Sequence, residues 1–158
     1  MNIKDFYGEI LNEHNINPNH KIEMSSPDIT MRGVNPSCGD DITLNLKVKD
    51  GIISDGSFTG SGCAISQASV DMMLDLVIGK SKDDAIKLAE SFMKMIKGGA
   101  TEQEIEKLEE AGALQNISHM PARVKCAVLG WHTMEKMFES GESSGQMQNP
   151  HSCSTEHM

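Results

Sequence analysis

The order of apolar and polar residues predicts one helix, then a small set of strands. Apolar residues recur at helical spacing through residues 3–14, which are therefore predicted to form an amphipathic helix. Residues 42–48 alternate apolar with polar side chains, as a half-buried strand does, and a short strand is expected before them at 29–33. Residues 49–51 (Lys-Asp-Gly) favour a hairpin turn into a third strand at 52–58. The first half is therefore predicted to be an antiparallel meander.

After residue 63 the spacing of apolar residues becomes helical. One helix is predicted at 65–78, and a second begins at Ser81, a good N-cap residue. Residues 101–114 are acidic and helix-prone, and their charges are interpreted as a solvated face. Pro121 suits the first turn of a final helix, whose apolar stripe runs to Phe138.

The loss of this periodicity near the end of the chain sets the domain prediction. Residues 1–138 are predicted to form one domain, a size that allows a substantial core. Residues 139–158 are rich in Gly, Ser, Gln and Asn and are predicted to be a disordered tail. Cys153 within this tail is predicted to have no catalytic role.

Charge and composition narrow the functional classes. Lys and Arg total 14 against 23 Asp and Glu, a net charge of −9, which argues against binding to nucleic acid or an anionic membrane. The sequence shows neither an apolar run of about 20 residues nor an N-terminal secretion signal, so a cytoplasmic location is predicted. Cysteines in that compartment favour free thiols or metal ligands over structural disulfides.

The stretch from Asn35 to Asp40 carries the first candidate chemistry. Pro36 stiffens the entry to the loop, and Gly39 allows Cys38 and Asp40 to turn toward one point. The pair would supply half of a tetrahedral zinc site. The alternative is a turn in which Asp40 bonds the backbone and Cys38 is a small buried side chain. These residues alone leave the two interpretations balanced.

Two further cysteines occupy suggestive positions. Cys63 is predicted at a helix N-terminus, where free N–H groups favour a thiolate, although Gly-x-Gly turns before a helix are common. Cys126 lies near the start of the last helix, with Arg123 three residues earlier on the same side. Arg123 would stabilise a thiolate, or else is a surface residue over a buried thiol. His14 and His20 are interpreted as surface histidines near a helix end rather than as metal ligands.

Three sulfurs and the Asp40 oxygen form a ligand set that suits four-coordinate zinc. The cysteines are far apart along the chain and include no Cys-x-x-Cys pair, so spacing alone does not establish that they converge.

The motifs around these cysteines resemble those of a known family. The motifs are NPSCGD at 35–40, GSGCAIS at 60–66 and PARVKCA at 121–127, followed by Trp131. Together they resemble the U-type proteins of iron–sulfur cluster assembly, the IscU/SufU family, from Phe6 to Phe138. The resemblance implies an α+β fold, a small antiparallel three-stranded sheet packed against several helices. The strand and helix pattern agrees with that fold.

Two departures from the IscU pattern point to the SufU branch. The histidine that precedes the last cysteine in IscU is replaced by Lys125, within a different segment at 120–123. The chain also has room for an extra acidic helix near 101–114. Resemblance to the SufU branch implies a zinc-dependent sulfurtransferase that works with a cysteine desulfurase. Arg123 also matches an arginine of that branch.

The resemblance implies that zinc is held by Cys38, Asp40, Cys63 and Cys126. It also implies that docking on the desulfurase releases Cys38, with a histidine of the desulfurase taking its place at the metal. Cys38 would then accept persulfide sulfur, assisted by Asp40 and Arg123, and pass it to a downstream assembly scaffold.

Three alternatives remain open. The same ligands would hold iron or a nascent [2Fe–2S] cluster if the chain were itself the scaffold. The site would otherwise be a purely structural zinc module, or the chain a zinc-free thiol protein.

Overall fold

The computed structural model describes residues 3–140 and 153–154, with side chains described for residues 8–139. The elements are, in order, α1 (Ile3–Ile16), β1 (Ile29–Asn35), β2 (Asp40–Lys49), β3 (Ile52–Ser61), α2 (Ala64–Val77), α3 (Lys82–Ile96), α4 (Glu102–Lys107), a 3₁₀ segment (Glu109–His119), α5 (Pro121–Ser140) and β4 (Cys153–Ser154). Within these residues, none of the helices has both the length and the apolarity that crossing a bilayer requires.

The predicted α+β architecture and its antiparallel three-stranded meander are confirmed. The strand order is β3-β2-β1-β4, with β2 antiparallel to both β1 and β3. Asp50 and Gly51, both at positive φ, form the tight turn between β2 and β3. The β1–β2 register pairs Asn35 with Asp40, so residues 36–39, which include Cys38, form the turn between these two strands.

The fourth strand lies within the segment for which the sequence predicts a disordered tail. Cys153 and Ser154 pair in parallel with Gly33 and Val34 at the outer edge of β1. The rest of that prediction from residue 141 onward falls on 141–152 and 155–158, which lie outside the described residues.

The core lies between the inner face of the sheet and the helices. The alternation predicted for β2 holds at Ile42, Leu44 and Leu46, which are fully buried, but Asn45 between them is buried as well and Val48 is only half-buried.

The α2 helix packs beside α5, where Ser69 of α2 donates to the Ala127 carbonyl oxygen at 2.6 Å and accepts from Trp131 Nε1 at 3.0 Å. On its other side, Trp131 stacks on Phe92 of α3 with ring centroids 4.3 Å apart. Tight packing of the two helices places the cysteine at the start of each helix at the same end of the molecule.

The acidic segment differs in part from its prediction. The predicted helix at 101–114 is instead the six-residue α4, capped by Thr101 and Glu104, followed by the 3₁₀ segment. Buried side chains here fall at Leu108, Ala111, Leu114 and Ile117, a three-residue spacing that matches the 3₁₀ period rather than the α-helical one. Most of the acidic side chains are exposed, as the sequence indicated.

The prediction that His14 is a surface residue is wrong. His14 is only 4% exposed, and its Nδ1 lies 2.6 Å from Oδ2 of Asp71, a fully buried residue of α2. Its Nε2 lies 2.9 Å from Oε1 of Glu110 in the 3₁₀ segment. His20, also interpreted as a surface residue, is only partly exposed and its Nε2 lies 2.7 Å from Oδ1 of Asp75. These contacts join α1 and the following loop to elements that are distant in sequence, which local periodicity does not reveal.

A carboxylate on each ring nitrogen determines the charge state of His14. Burial alone would lower the pKa of His14, but the hydrogen bonds to Asp71 and Glu110 outweigh it, and the pKa lies above its ordinary value of 6.5. A neutral imidazole has one N–H and can donate to only one carboxylate, whereas the protonated ring donates to both. The protonated ring therefore stabilises the packing of α1 on α2.

We expect His14→Ala to destabilise the protein by about 3 kcal/mol, because Asp71 would remain buried without its cationic partner. A raised pKa in the folded state means that this contribution is complete below pH 6.5 and is lost as the pH rises through the folded-state pKa. Urea unfolding of wild type and variant on both sides of that pH measures the difference.

The matched control is His20→Ala, which removes a more exposed histidine–carboxylate pair and is expected to cost about 1 kcal/mol or less. A His14→Ala penalty that stays constant over the whole pH range would show that His14 acts only by packing.

Candidate functional site

Three candidate ligand residues converge at one end of the sheet. One ligand atom from each of Cys38, Asp40 and Cys126 lies within 4.8 Å of the other two. The β1–β2 turn brings the first two together: the Cys38 N–H donates to the Asn35 carbonyl oxygen at 3.3 Å, and Gly39 takes a φ of +75°. The α5 helix, packed on β1, supplies Cys126.

Asp40 is the most constrained of these residues. Its side chain is fully buried and accepts hydrogen bonds on both oxygens. Oδ1 accepts from the Cys63 N–H at 2.8 Å and from Ser66 Oγ at 3.1 Å, while Oδ2 accepts from Asn35 Nδ2 at 3.0 Å. A Cβ on Gly62 would lie 2.7 Å from Oδ1, so the absence of a side chain there permits this close approach.

Cys63 is placed beside this group rather than within it. It is the N-cap of α2, as predicted, and its Sγ accepts from the Ser66 N–H at 3.4 Å. Its thiol also interacts with the Cys126 thiol. Of the four residues predicted to bind metal, Cys38, Asp40 and Cys126 therefore have ligand atoms within 4.8 Å of one another. The sulfur of the fourth, Cys63, accepts a hydrogen bond from the first turn of its own helix.

Cys126 and Cys38 lie in different environments. Burial, together with contacts to Cys38, Cys63 and Asp40, holds the pKa of Cys126 far above its ordinary value. In the absence of a metal, Cys126 is therefore a neutral thiol near pH 7. Cys38, by contrast, is exposed, and its Sγ lies 3.9 Å from the carbonyl oxygen of Ala122, a long and weak contact.

Arg123 lies above the sulfurs, on the side of α5 that its spacing predicted. A hydrogen bond to Cys126 and the charges of Cys63, Cys126 and Cys38 raise the pKa of its guanidinium. These interactions are with the three cysteine sulfurs. An exposed cation is therefore held beside three groups that become anionic when they ionise.

Sequence reasoning assigned no role to Asn35 or Ser66, although both belong to the motifs. Asn35 Nδ2 contacts Asp40 and also lies 3.6 Å from Cys126 Sγ. Ser66 bonds Asp40 through its hydroxyl. The sequence could have indicated both residues. Asn35 is expected to face Asp40 across a tight hairpin, and Ser66 lies three residues after the N-cap Cys63, which places it beside the start of the helix.

The donor chemistry fits zinc. Two thiols and a carboxylate within 4.8 Å, with a third thiol adjacent, match the soft and hard donors that this ion accepts in four-coordinate sites. The part of the chain with described side chains holds one other such group, at His14, Asp71 and Asp75. Hydrogen bonds already join the ligands of that group to each other and to neighbouring residues, which is typical of a structural network.

Comparisons with known proteins agree with this arrangement. The family model of the NifU-like N terminal domain matches residues 6–127. The chain is 36% identical to the iron–sulfur cluster assembly scaffold protein IscU of Thermotoga maritima, covering 88% of this chain and 96% of that protein. It is also 36% identical to the zinc-dependent sulfurtransferase SufU of Bacillus subtilis, covering 85% and 90%.

A solved structure shows the same fold. A protein of Fervidobacterium islandicum AW-1, described as an iron–sulfur cluster assembly scaffold protein for the SUF system, superimposes with a TM-score of 0.76 at 30% identity. The match covers 84% of this chain and 96% of that one.

We expect Cys63→Ser to preserve the stability of the fold but to weaken zinc binding, which distinguishes the capping role of this residue from a ligand role. Serine is a strong N-cap, so the free energy of unfolding of the metal-free protein should change by less than about 0.5 kcal/mol. Zinc affinity, measured by chelator competition, should fall by at least about tenfold, since even partners outside the ligand set contribute that much.

Cys63→Ala serves as the control, because it removes both the cap and the sulfur and should also destabilise the metal-free fold by about 1 kcal/mol. Wild-type zinc affinity in Cys63→Ser would restrict Cys63 to capping.

Proposed function

We propose that this chain, which belongs to the family of the NifU-like N-terminal domain, is a zinc-dependent sulfurtransferase. Its relatives in that family include IscU and SufU proteins of iron–sulfur cluster assembly. It accepts persulfide sulfur from a cysteine desulfurase on Cys38. The observation that carries this proposal is the asymmetry of the site, in which Cys38 is exposed while Asp40 and Cys126 are fully buried.

Cys38, Asp40, Cys63 and Cys126 would hold the zinc. Bound zinc would keep cysteine sulfurs ionised at neutral pH, which the protein alone does not do for Cys126. For Cys63 to join the ligands, its sulfur would exchange the Ser66 N–H for the metal. The ligand atoms of the other three residues already lie within 4.8 Å of one another.

The sulfur-transfer step is a thiol–persulfide exchange with no net oxidation. The Cys38 thiolate attacks the terminal sulfur of the desulfurase persulfide. A bond forms between Cys38 Sγ and that sulfur, the sulfur–sulfur bond of the desulfurase breaks, and its cysteine leaves as a thiolate. Arg123 stabilises negative charge on the sulfurs during this exchange, because its guanidinium stays protonated and already interacts with them.

The weak restraint on Cys38 supports its role as the mobile group. Its exposed sulfur makes a long 3.9 Å contact to the Ala122 carbonyl oxygen and interacts with the Cys126 thiol, whereas the buried Asp40 carboxylate accepts hydrogen bonds from three donors. Docking of the desulfurase would release Cys38 while the buried residues keep their places, and a histidine of the desulfurase would occupy the position that Cys38 leaves. A downstream assembly scaffold is the proposed recipient of the sulfur.

A second candidate function is that of a scaffold for a nascent [2Fe–2S] cluster. It is favoured by the equal identity, 36%, to a protein named as a scaffold and to one named as a sulfurtransferase. Lys125, at the position where the resemblance places a histidine in IscU, favours the sulfurtransferase.

We expect Cys38→Ser to abolish sulfur uptake, because serine provides no nucleophilic sulfur at the exposed position. The protein is incubated with a cysteine desulfurase and cysteine, and its intact mass is examined for added sulfur. Cys153→Ser is the matched control, since it also replaces one cysteine and should retain uptake. Normal uptake by Cys38→Ser would exclude Cys38 as the acceptor.

Metal content distinguishes the two candidate functions. The purified sulfurtransferase should contain zinc, lack visible absorption, and increase desulfurase turnover, and removal of zinc by a chelator should abolish that increase while leaving the fold intact. A visible chromophore after anaerobic reconstitution, with no effect on desulfurase turnover, would favour the scaffold. Unfolding on chelation, also without any effect on turnover, would indicate a purely structural zinc.

A further inference from the structure

Asn35 makes a bridge between two of the candidate ligands. It is the last residue of β1, is fully buried, and points its amide nitrogen into the site. Nδ2 donates to Asp40 Oδ2 at 3.0 Å and lies 3.6 Å from Cys126 Sγ, so its two hydrogens have separate acceptors. The Cys126 thiol also interacts directly with the Asp40 carboxylate, and the Asn35 amide contacts both groups from the end of β1.

The orientation of the Asn35 amide is fixed by chemistry. An ionised carboxylate only accepts hydrogen bonds, so the nitrogen and not the carbonyl oxygen must face Asp40. Oδ1 is then left buried without a hydrogen-bond partner among the described residues. A buried acceptor without a partner costs about 1–3 kcal/mol, so fold stability alone does not explain an asparagine here.

The remaining donors to Asp40 do not duplicate this bridge. The Cys63 N–H and the Ser66 hydroxyl both bind Oδ1, and both belong to the start of α2. They fix the carboxylate relative to Cys63. Asn35 binds the other oxygen and fixes the carboxylate relative to Cys126.

We propose that Asn35 is a positioning residue that sets the distance between Asp40 and Cys126 before the metal binds. The inference rests on the metal site of the proposed function, but not on sulfur transfer. Without the amide, the carboxylate could rotate about its remaining bonds, and the buried thiol would lose its link to β1. Metal binding would then have to order these groups, which weakens the affinity.

Two variants and one control test this role. Asn35→Ala removes the bridge, and Asn35→Asp keeps the shape but replaces both N–H donors with a second carboxylate beside Asp40. The control is Asn45→Ala, because Asn45 is a buried asparagine of the neighbouring strand whose Oδ1 accepts from Thr30. Each purified chain is titrated with zinc in competition with a chelator, and with cobalt(II) while its visible absorption is followed.

We expect Asn35→Ala to bind zinc about 10–100-fold more weakly, with an altered cobalt spectrum, as for other residues that orient metal ligands. Asn35→Asp should weaken binding further, because it adds negative charge against Asp40 and removes both donors. Asn45→Ala should keep the wild-type affinity and spectrum even where its unfolding midpoint falls.

Wild-type zinc affinity in Asn35→Ala would overturn the inference. Equal losses of zinc affinity in Asn35→Ala and Asn45→Ala would also overturn it, and so would a wild-type chain that binds no zinc. Should Asn35→Ala fail to fold, Asn35→Ser, which keeps one donor, is expected to give an intermediate affinity, and wild-type affinity there would also overturn it. A wild-type chain that binds zinc but takes up no sulfur would defeat the proposed function and leave the role of Asn35 standing.

Discussion

The rest of the site depends on one buried carboxylate. Asp40 is fully enclosed, and a carboxylate in such surroundings is tolerated only when hydrogen bonds replace the water that it loses. Its donors come from the end of β1 and from the start of α2, so the carboxylate is satisfied only when the hairpin and that helix have docked. Folding of the core and assembly of the site are therefore the same event.

This constraint produces an asymmetry that suits group transfer. The base of the site, formed by Asp40 and Cys126, is buried, whereas Cys38 lies on an exposed turn. Cys63 lies between these extremes, half-buried and bonded to its own helix. In the proposed sulfur transfer, this buried base would keep its place while the exposed sulfur of Cys38 leaves and returns.

The sequence predicted the elements better than their contacts. Alternation in β2 and the caps at Cys63 and Ser81 are local signals, and the structure contains all of them. The burial of His14 depends on Asp71, a buried acidic residue of α2, and no local pattern reveals that pair. For the same reason, spacing alone did not establish the approach of Cys38 to Cys126, which required the resemblance to known motifs and then the packing of α5 on β1.

Arg123 supplies the positive charge that the proposed release of Cys38 would require. Several sulfurs at close range repel one another once they are ionised, and loss of a cation would leave that repulsion uncompensated. The guanidinium is exposed, stays protonated, and interacts with Cys38, Cys63 and Cys126 without occupying the buried base. It therefore supplies positive charge beside the exposed Cys38, while Asn35 and Ser66 hold the Asp40 carboxylate in the buried part of the site. Buried donors to Asp40 and an exposed cation beside the sulfurs are the arrangement that the proposed release of Cys38 would require, because the other ligands would have to keep their places.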